Sequence, residues 1–370
     1  MYIKSLKLQN FRNYADESFA FDPAVNLICG ENGQGKTNLL EAAAACSTMR
    51  LFRTAQKKEG LRFGENHAFI FADFLAQERD ISLELRFSRT KAMEIYKNGV
   101  RQKRQSDAQG LLKTVLFCPE DLMLVRAGAA ARRRFLDTAL CQMRPNYARY
   151  LEEYNRLHEH KTRILRDSEE KPSLLSMWED FSLRMAHIGA QIIRYRAYYC
   201  RKLLKAAAAV YADIAPHEVF RSVYKTVSSV TDPFADARTI EKQLIDHVFS
   251  HKTAEIAAKS CLSGPHKDDL ELLLDGRSAA SFGSQGQVRT CTLSLKLAER
   301  ELFFDEDGEY PVLLLDDVLS ELDRRRQDFV LNRISAGQVM ITCCEDGISE
   351  KLRAGAVFHI QNGEKSTETH

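Results

Sequence analysis

No two cysteines in this chain are spaced C-x-x-C, and the nine that occur are odd in number and scattered along 370 residues. Zinc-type spacing is therefore missing and a disulfide framework is not expected, which leaves buried reduced thiols as the default reading. Two features stand out even so: Cys343 and Cys344 are adjacent, and Cys29 lies beside a glycine-rich loop. Long apolar runs are missing too. The longest, near residues 203–214 and 311–315, fall far short of the roughly 20 residues needed to cross a bilayer. Charges interrupt every apolar run of the N-terminal MYIKSLKLQNFRNY, so it does not read as a signal segment, and a cytoplasmic protein with no membrane partner is expected. There is also no large excess of charge. At +2, bulk electrostatics does not announce a nucleic-acid binder.

Hydrophobic residues at 44% and charged residues at 28% are ordinary for globular proteins, and the length suggests two domains. Basic residues gather only locally, at Arg101-Gln102-Lys103-Arg104, Arg132-Arg133-Arg134 and Arg324-Arg325-Arg326. Each cluster taken alone also reads as a solvated helix face or loop.

The first third has strand character at 2–8, 25–29, 69–75, 81–87 and 93–96, with a helix from Thr37 and a hairpin signal at Asn98-Gly99. From 121 to 259 the texture becomes helical, punctuated by Pro145, Pro172, Pro216 and Pro233 and without sustained heptads. Strands return at 270–274, 312–315 and 339–342, with helices from about Ser284 and from Arg324. No internal repeat is visible. The expectation is a discontinuous α/β domain, residues 1–120 with 260–370, carrying a mostly α-helical lobe at 121–259 and no long coiled coil.

Gly30, Glu31, Asn32, Gly33, Gln34, Gly35, Lys36 and Thr37 fit G-x-x-x-x-G-K-[ST] without deviation, between a strand and a helix. Glycines let backbone N–H groups turn toward phosphate oxygens at the positive end of a helix. Lys36 supplies a charge for the β- and γ-phosphates, and the Thr37 hydroxyl suits Mg²⁺. The apolar strand 312–315 ends in Asp316 and Asp317. The first acid at such a strand end holds Mg²⁺, and the second is suited to activating water.

Lys36 and Asp316 lie 280 residues apart, wide for a small kinase or GTPase. ABC-type ATPases accommodate such a gap by inserting helices, and they place a glycine-containing signature at a helix start before the acidic strand. Ser284, Gln285, Gly286 and Gln287 occupy that place, where a serine, a glycine and a helix N-terminus together suit a phosphate on a second subunit. The expected fold is thus α/β, an ABC-type P-loop ATPase head.

Further segments carry a family resemblance: Asn10-Phe11-Arg12-Asn13-Tyr14; Pro119-Glu120-Asp121; Gly128 with Arg132-Arg133-Arg134-Phe135-Leu136-Asp137; and Ser263-Gly264-Pro265-His266-Lys267-Asp268-Asp269-Leu270. Together with residues 284–289 and 315–323, they make the chain resemble the RecF family of bacterial DNA repair proteins, relatives of the heads of SMC-type ATPases. Ala130 stands where that family usually has proline, and Lys267 where arginine is common.

The resemblance implies ATP binding by residues 30–37 together with Asn38, Arg12 and Asn13, and Mg²⁺ on Thr37 and Asp316. Lys36 and Asp317 would be the catalytic pair, Asp317 standing where glutamate is more usual, which suits slow hydrolysis. Ser284, Gln285, Gly286 and Gln287 would act in trans, with Asp323 in the loop coupling the two sites and Glu120 or Asp121 filling the role of a glutamine loop. Thr342 sits where transporters place a switch histidine, which argues against a transporter subunit. The partners implied are double-stranded DNA and duplex/single-strand junctions, a second copy bound through ATP, and RecO- and RecR-like proteins. The implied task is DNA-stimulated, slow ATP hydrolysis that helps load recombinase at gaps. Lys57, Lys58, Arg101, Lys103 and Arg104 are the DNA-contact candidates.

Overall fold

The computed structural model describes residues 1–54, 56–227, 229–344 and 355–366, and these divide into two compact units, 1–123 with 292–370 and 124–291.

The first unit opens with β1 (Tyr2–Phe11), β2 (Tyr14–Ala20), β3 (Val25–Cys29) and α1 (Lys36–Thr48). It continues through β4 (His67–Ala76), β5 (Arg79–Ser88), β6 (Glu94–Lys97), β7 (Val100–Arg101) and β8 (Thr114–Phe117). The second unit follows with α2 (Ala129–Met143), α3 (Pro145–Asp167), α4 (Trp178–Ile214), β9 (Phe220–Lys225), α5 (Ala237–Ser250) and α6 (Lys252–Ala258). Then come β10 (Asp269–Leu274), β11 (Arg277–Ser278), α7 (Ala279–Phe282) and α8 (Gln285–Asp307), the last running past the division at 291. The chain closes the first unit with β12 (Val312–Leu315), α9 (Arg324–Arg333), β13 (Val339–Cys343), β14 (Ala356–Gln361) and β15 (Glu364–Lys365).

Two six-stranded sheets build the first unit. One is antiparallel, in the order β2-β1-β4-β5-β6-β7. Its strands alternate: Ala68, Ile70, Ala72, Phe74 and Ala76 of β4 point inward, as one covered face requires. The other runs β15-β14-β3-β13-β12-β8, parallel except at β15. Its central strands β12 and β13 are buried at every residue, which is why they read as unbroken apolar runs. Helix α1 packs on β4 of one sheet and on β8 and β13 of the other, and its Leu39, Leu40 and Ala42 to Ala45 share one core with both. The alanine run keeps the helix thin enough for that place.

The second unit is helical but not purely so. β9 pairs antiparallel with β10 from Lys225–Asp269 to Phe220–Leu274, and β11 extends that sheet. The second unit takes in residues 260–291 along with the helical stretch. A buried ion pair, Lys161 with Glu255 at 2.6 Å, anchors its interior, and Trp178 Nε1 donates to the same carboxylate.

Candidate functional site

Three neighbouring parallel strands, β3, β13 and β12, end on one edge of their sheet, the place where open α/β sheets hold ligands. Each delivers a different group. β3 leads into the glycine loop, β12 is followed by Asp316, and β13 ends in Thr342 and Cys343 with Cys344 just beyond.

The loop needs its glycines. Gly30 (φ 149°) and Gly35 (φ 121°) lie in the region L side chains avoid, and a Cβ would stand 2.4 Å from Ile360 O and 2.6 Å from Asn13 Nδ2 respectively. Asn13 Nδ2 donates to Gln34 O at 2.8 Å, Asn38 Nδ2 donates to Asn13 Oδ1 at 2.8 Å, and Tyr14 OH donates to Gly35 O at 2.9 Å. On the other flank, Gly363 N–H donates to Gln34 O at 2.9 Å. The Asn13-Tyr14 part of the N-terminal motif thus holds the loop. Gly35 at the N-cap of α1 has no side chain with which to cap the helix's first N–H groups.

Lys36 is almost fully buried, its ammonium donating to Gly30 O at 2.7 Å and Glu31 O at 3.1 Å and lying 3.4 Å from Cys344 Sγ. Cys344 Sγ is also 3.1 Å from Asn32 Oδ1. Thr37 Oγ1 donates to Asp316 Oδ1 at 2.9 Å, and Thr342 Oγ1 donates to the same oxygen at 3.0 Å. Burial lifts the Asp316 carboxyl above the usual aspartate range, and those two hydroxyl donors oppose the lift. Thr342 Oγ1 in turn accepts from Asp317 N–H at 2.7 Å, and Asp317 has φ 49°, a conformation that turns the chain sharply after the strand. The position left without a histidine is thus an organiser of both acids.

Arg12 is paired with Glu41. Its Nε and Nη2 donate to Glu41 at 2.7 and 3.1 Å, and its Nη1 donates to Glu59 O at 2.8 Å. Sequence reasoning missed Glu41, which sits fully buried just before α1's alanine run. A lone acid between Leu40 and the alanine run was the signal that could have flagged it. Asp323 caps α9, accepting from Arg326 N–H at 3.0 Å, a bond that holds its carboxyl below the usual range. Asp121 is tied to Lys296 at 3.2 Å, and Glu120 is exposed. Of the DNA candidates, Arg101 pairs with Glu94 at 2.8 Å, Lys58, Lys103 and Arg104 are exposed, and Lys57 is half-buried, with burial and Arg50 lowering its pKa.

In the second unit Ser284 and Gln287 form a reciprocal capping box at the start of α8. Gln287 N–H donates to Ser284 Oγ at 3.2 Å, and Ser284 N–H donates to Gln287 Oε1 at 2.8 Å. Ser284 and Gln285 are exposed, Gly286 and Gln287 half-buried, and Gln287 Nε2 also reaches Glu218 at 3.1 Å. The two mid-chain motifs meet in the same unit. Arg132 forms a two-point pair with Asp269, and Arg133 donates to Asp268 O. Buried Arg196 joins Asp137 to Asp268 at 2.8 and 2.9 Å. His266 accepts from Tyr154 OH at 2.7 Å and donates from Nε2 to Cys261 O at 3.0 Å, and burial pushes its pKa down to about 3. These motifs are a structural latch built on a charge, Arg196, that sequence spacing did not reveal.

A family model described as the RecF/RecN/SMC N terminal domain matches residues 2–367. The DNA replication and repair protein RecF of Lactobacillus johnsonii is 37% identical over 373 residues, with 100% of each chain covered. The chain belongs to the RecF family. The RecF of Acetivibrio thermocellus is 33% identical over 361 residues, covering 98% of each chain. A solved structure of the recombination mediator protein RecF with ATP, from the RecFOR pathway, superposes with a TM-score of 0.92 at 31% identity, covering 100% of this chain and 98% of that one. An Smc head domain from Pyrococcus furiosus shares the fold alone, with a TM-score of 0.56 at 15% identity and coverage of 99% and 95%. The RecF-family assignment and these likenesses bear out the expected ABC-type α/β head.

Proposed function

We propose that the chain is an ATP-dependent DNA-binding protein of recombinational repair, acting through slow ATP hydrolysis and ATP-driven pairing of two copies. The observation that carries this reading is the Thr37–Asp316 contact: a hydroxyl and a carboxylate 279 residues apart meet at 2.9 Å beside the glycine loop. The likeness to a RecF solved with ATP supports that nucleotide.

In this reading the backbone of Gly30, Glu31, Asn32, Gly33, Gln34 and Gly35 cradles the phosphates, and Asn38 and Asn13 hold the cradle's shape. The Lys36 ammonium, now on the Gly30 and Glu31 carbonyls, is the cation for the β- and γ-phosphates. Thr37 and Asp316 suit a hard cation such as Mg²⁺, which takes few protein oxygens and completes its shell with water and phosphate. When bound, the ion neutralises charge on the phosphate oxygens. Asp317, oriented through Thr342, is the base that accepts a proton from the attacking water. Its shorter arm fits hydrolysis used as a switch.

Ser284, Gln285, Gly286 and Gln287 face the γ-phosphate held by a second copy. The exposure of Ser284 and Gln285 at a helix start supports this, with Asp323 on the coupling loop. Double-stranded DNA, duplex/single-strand junctions and RecO- and RecR-like proteins are the partners, with the work done in the cytoplasm. Among the described residues no helix is long and apolar enough to cross a membrane.

The test is to size the protein with ATP, with ADP and without nucleotide, each with and without duplex DNA. ATP alone among the nucleotides should double the mass, Lys36→Ala should abolish the effect, and Ser284→Arg should keep ATP binding while blocking pairing. ATP-driven dimers that survive in both variants would end this reading.

A further inference from the structure

Phe63 is the most exposed large apolar side chain among the described residues, and it is fully in solvent. It stands on a four-residue turn closed by Glu65 N–H donating to Arg62 O at 3.0 Å, with Gly64 supplying the positive φ (88°) of the third position. Both legs of the turn are fixed. Arg62 N–H donates to Asn10 O and Arg12 N–H to Gly60 O, each at 2.8 Å, and Leu61 bridges to Phe11. On the far leg Arg89 N–H donates to Asn66 O, and its guanidinium donates to Glu65 O, each at 3.0 Å. An exposed ring on so firmly held a turn is preorganised for a partner with flat apolar faces.

The surrounding charge identifies that partner. Residues 50–66 carry five basic side chains against two acids; Arg89, bonded to the foot of the turn, adds another, and Lys91 follows two residues on. Arg62, Arg89 and Lys91 are all exposed. Cations tracking phosphates around a projecting aromatic ring are the combination that grips a nucleic-acid backbone and stacks on, or wedges between, its bases.

The segment is also tied to the phosphate-loop helix. Arg53 N–H donates to Glu41 Oε1 at 3.2 Å, Arg53 Nη1 donates to Asn38 Oδ1 at 3.1 Å, and Arg12 links Glu41 to Glu59 O. These contacts join the start of α1 to Arg53 and Glu59, on the segment that leads into the turn.

We propose that Phe63 is a stacking wedge for the unpaired base at a duplex/single-strand junction, with Arg62 and Arg89 on the flanking phosphates. This rests on the DNA-binding reading above and adds what that reading lacks, a means of telling a junction from plain duplex. A base in continuous duplex is stacked on both faces, whereas the first unpaired base offers a free face at little cost.

The experiment uses the ATP-loaded full chain with two oligonucleotide probes, a plain duplex and a gapped duplex with 2-aminopurine as the first unpaired base. Phe63→Ala should hold duplex affinity within about twofold, lower junction affinity about tenfold and remove the 2-aminopurine fluorescence change. Phe63→Trp should restore both. A Phe63→Ala protein that matches wild type on the gapped probe in affinity and fluorescence overturns the proposal. So does one that keeps all DNA binding but loses a RecR-like partner, which would make the turn a protein contact. Wild-type protein that binds neither probe in ATP defeats the DNA-binding reading itself, and this proposal with it.

Discussion

Arg12 and Glu41 form a two-point ion pair, at 2.7 and 3.1 Å, that fastens the turn after β1 to the interior of the phosphate-loop helix. Glu41 is fully buried and Arg12 is 17% exposed by side chain, so the pair lies largely out of water. Removing one partner strands the other. Arg12→Ala should cost about 3–5 kcal/mol of folding stability, measured by urea denaturation, because the carboxylate is left unpaired. Arg12→Lys should recover only part of it, since the planar fork is lost. A loss of ATP binding with unchanged stability would instead place the guanidinium's work at the nucleotide.

Thr342 is the hinge between the two acids, donating to Asp316 and accepting from the Asp317 N–H. Thr342→Val keeps the shape and removes both bonds. On the proposed role of Asp316 as a metal ligand, ATP binding should persist while single-turnover hydrolysis falls roughly 10- to 100-fold, the usual cost of losing a group that orients such a ligand. Unchanged hydrolysis would show that the acids are held by the backbone alone.

Glu299 of α8 is buried 4.0 Å from Lys296 Nζ, and burial pushes its carboxyl pKa up to about 7 from an ordinary 4.5. A carboxyl whose folded pKa is raised contributes most to stability below pH 4.5, and that contribution is lost as pH rises through about 7. Glu299→Gln removes the titration. At about pH 8 it should be more stable than wild type by on the order of 2 kcal/mol, with the gap closing as pH falls, read from denaturation midpoints across the range. A gap independent of pH would refute this.

Cys344 is the one exposed cysteine of the nine, and its sulfur lies 3.4 Å from the Lys36 ammonium. A maleimide should label one thiol rapidly, and ATP with Mg²⁺ should slow that labelling. The labelled protein should fail to bind ATP, and Cys344→Ser should escape inactivation. Full ATP binding after stoichiometric labelling at this position would contradict the geometry.

The phosphate loop and the apolar strand ending in Asp316 were legible because both are local: a spacing of glycines in one case, an unbroken buried strand in the other. Missed were β9, β14 and the pairing of β9 with β10, because short strands on a partly covered sheet carry little apolar pattern of their own. The Arg132 and Arg133 cluster read as surface charge, whereas both side chains bind the strand at Asp268 and Asp269. Nothing in a run of arginines says whether carboxylates far along the chain will meet it.

By itself the sequence determined the chemistry available: a glycine cradle with its lysine, a hydroxyl next to it, two acids after an apolar strand, and a serine at a helix start. Tertiary structure decided which of these meet. Parallel alignment of β3, β13 and β12 brings Thr37, Asp316, Thr342 and Cys344 to one sheet edge, and the burial of Glu41 turns Arg12 into a strut. The physical reason is that a backbone motif is fixed by the conformations its own residues allow. A charged side chain's role, by contrast, depends on which opposite charge shares its low-dielectric surroundings, and folding alone selects that partner.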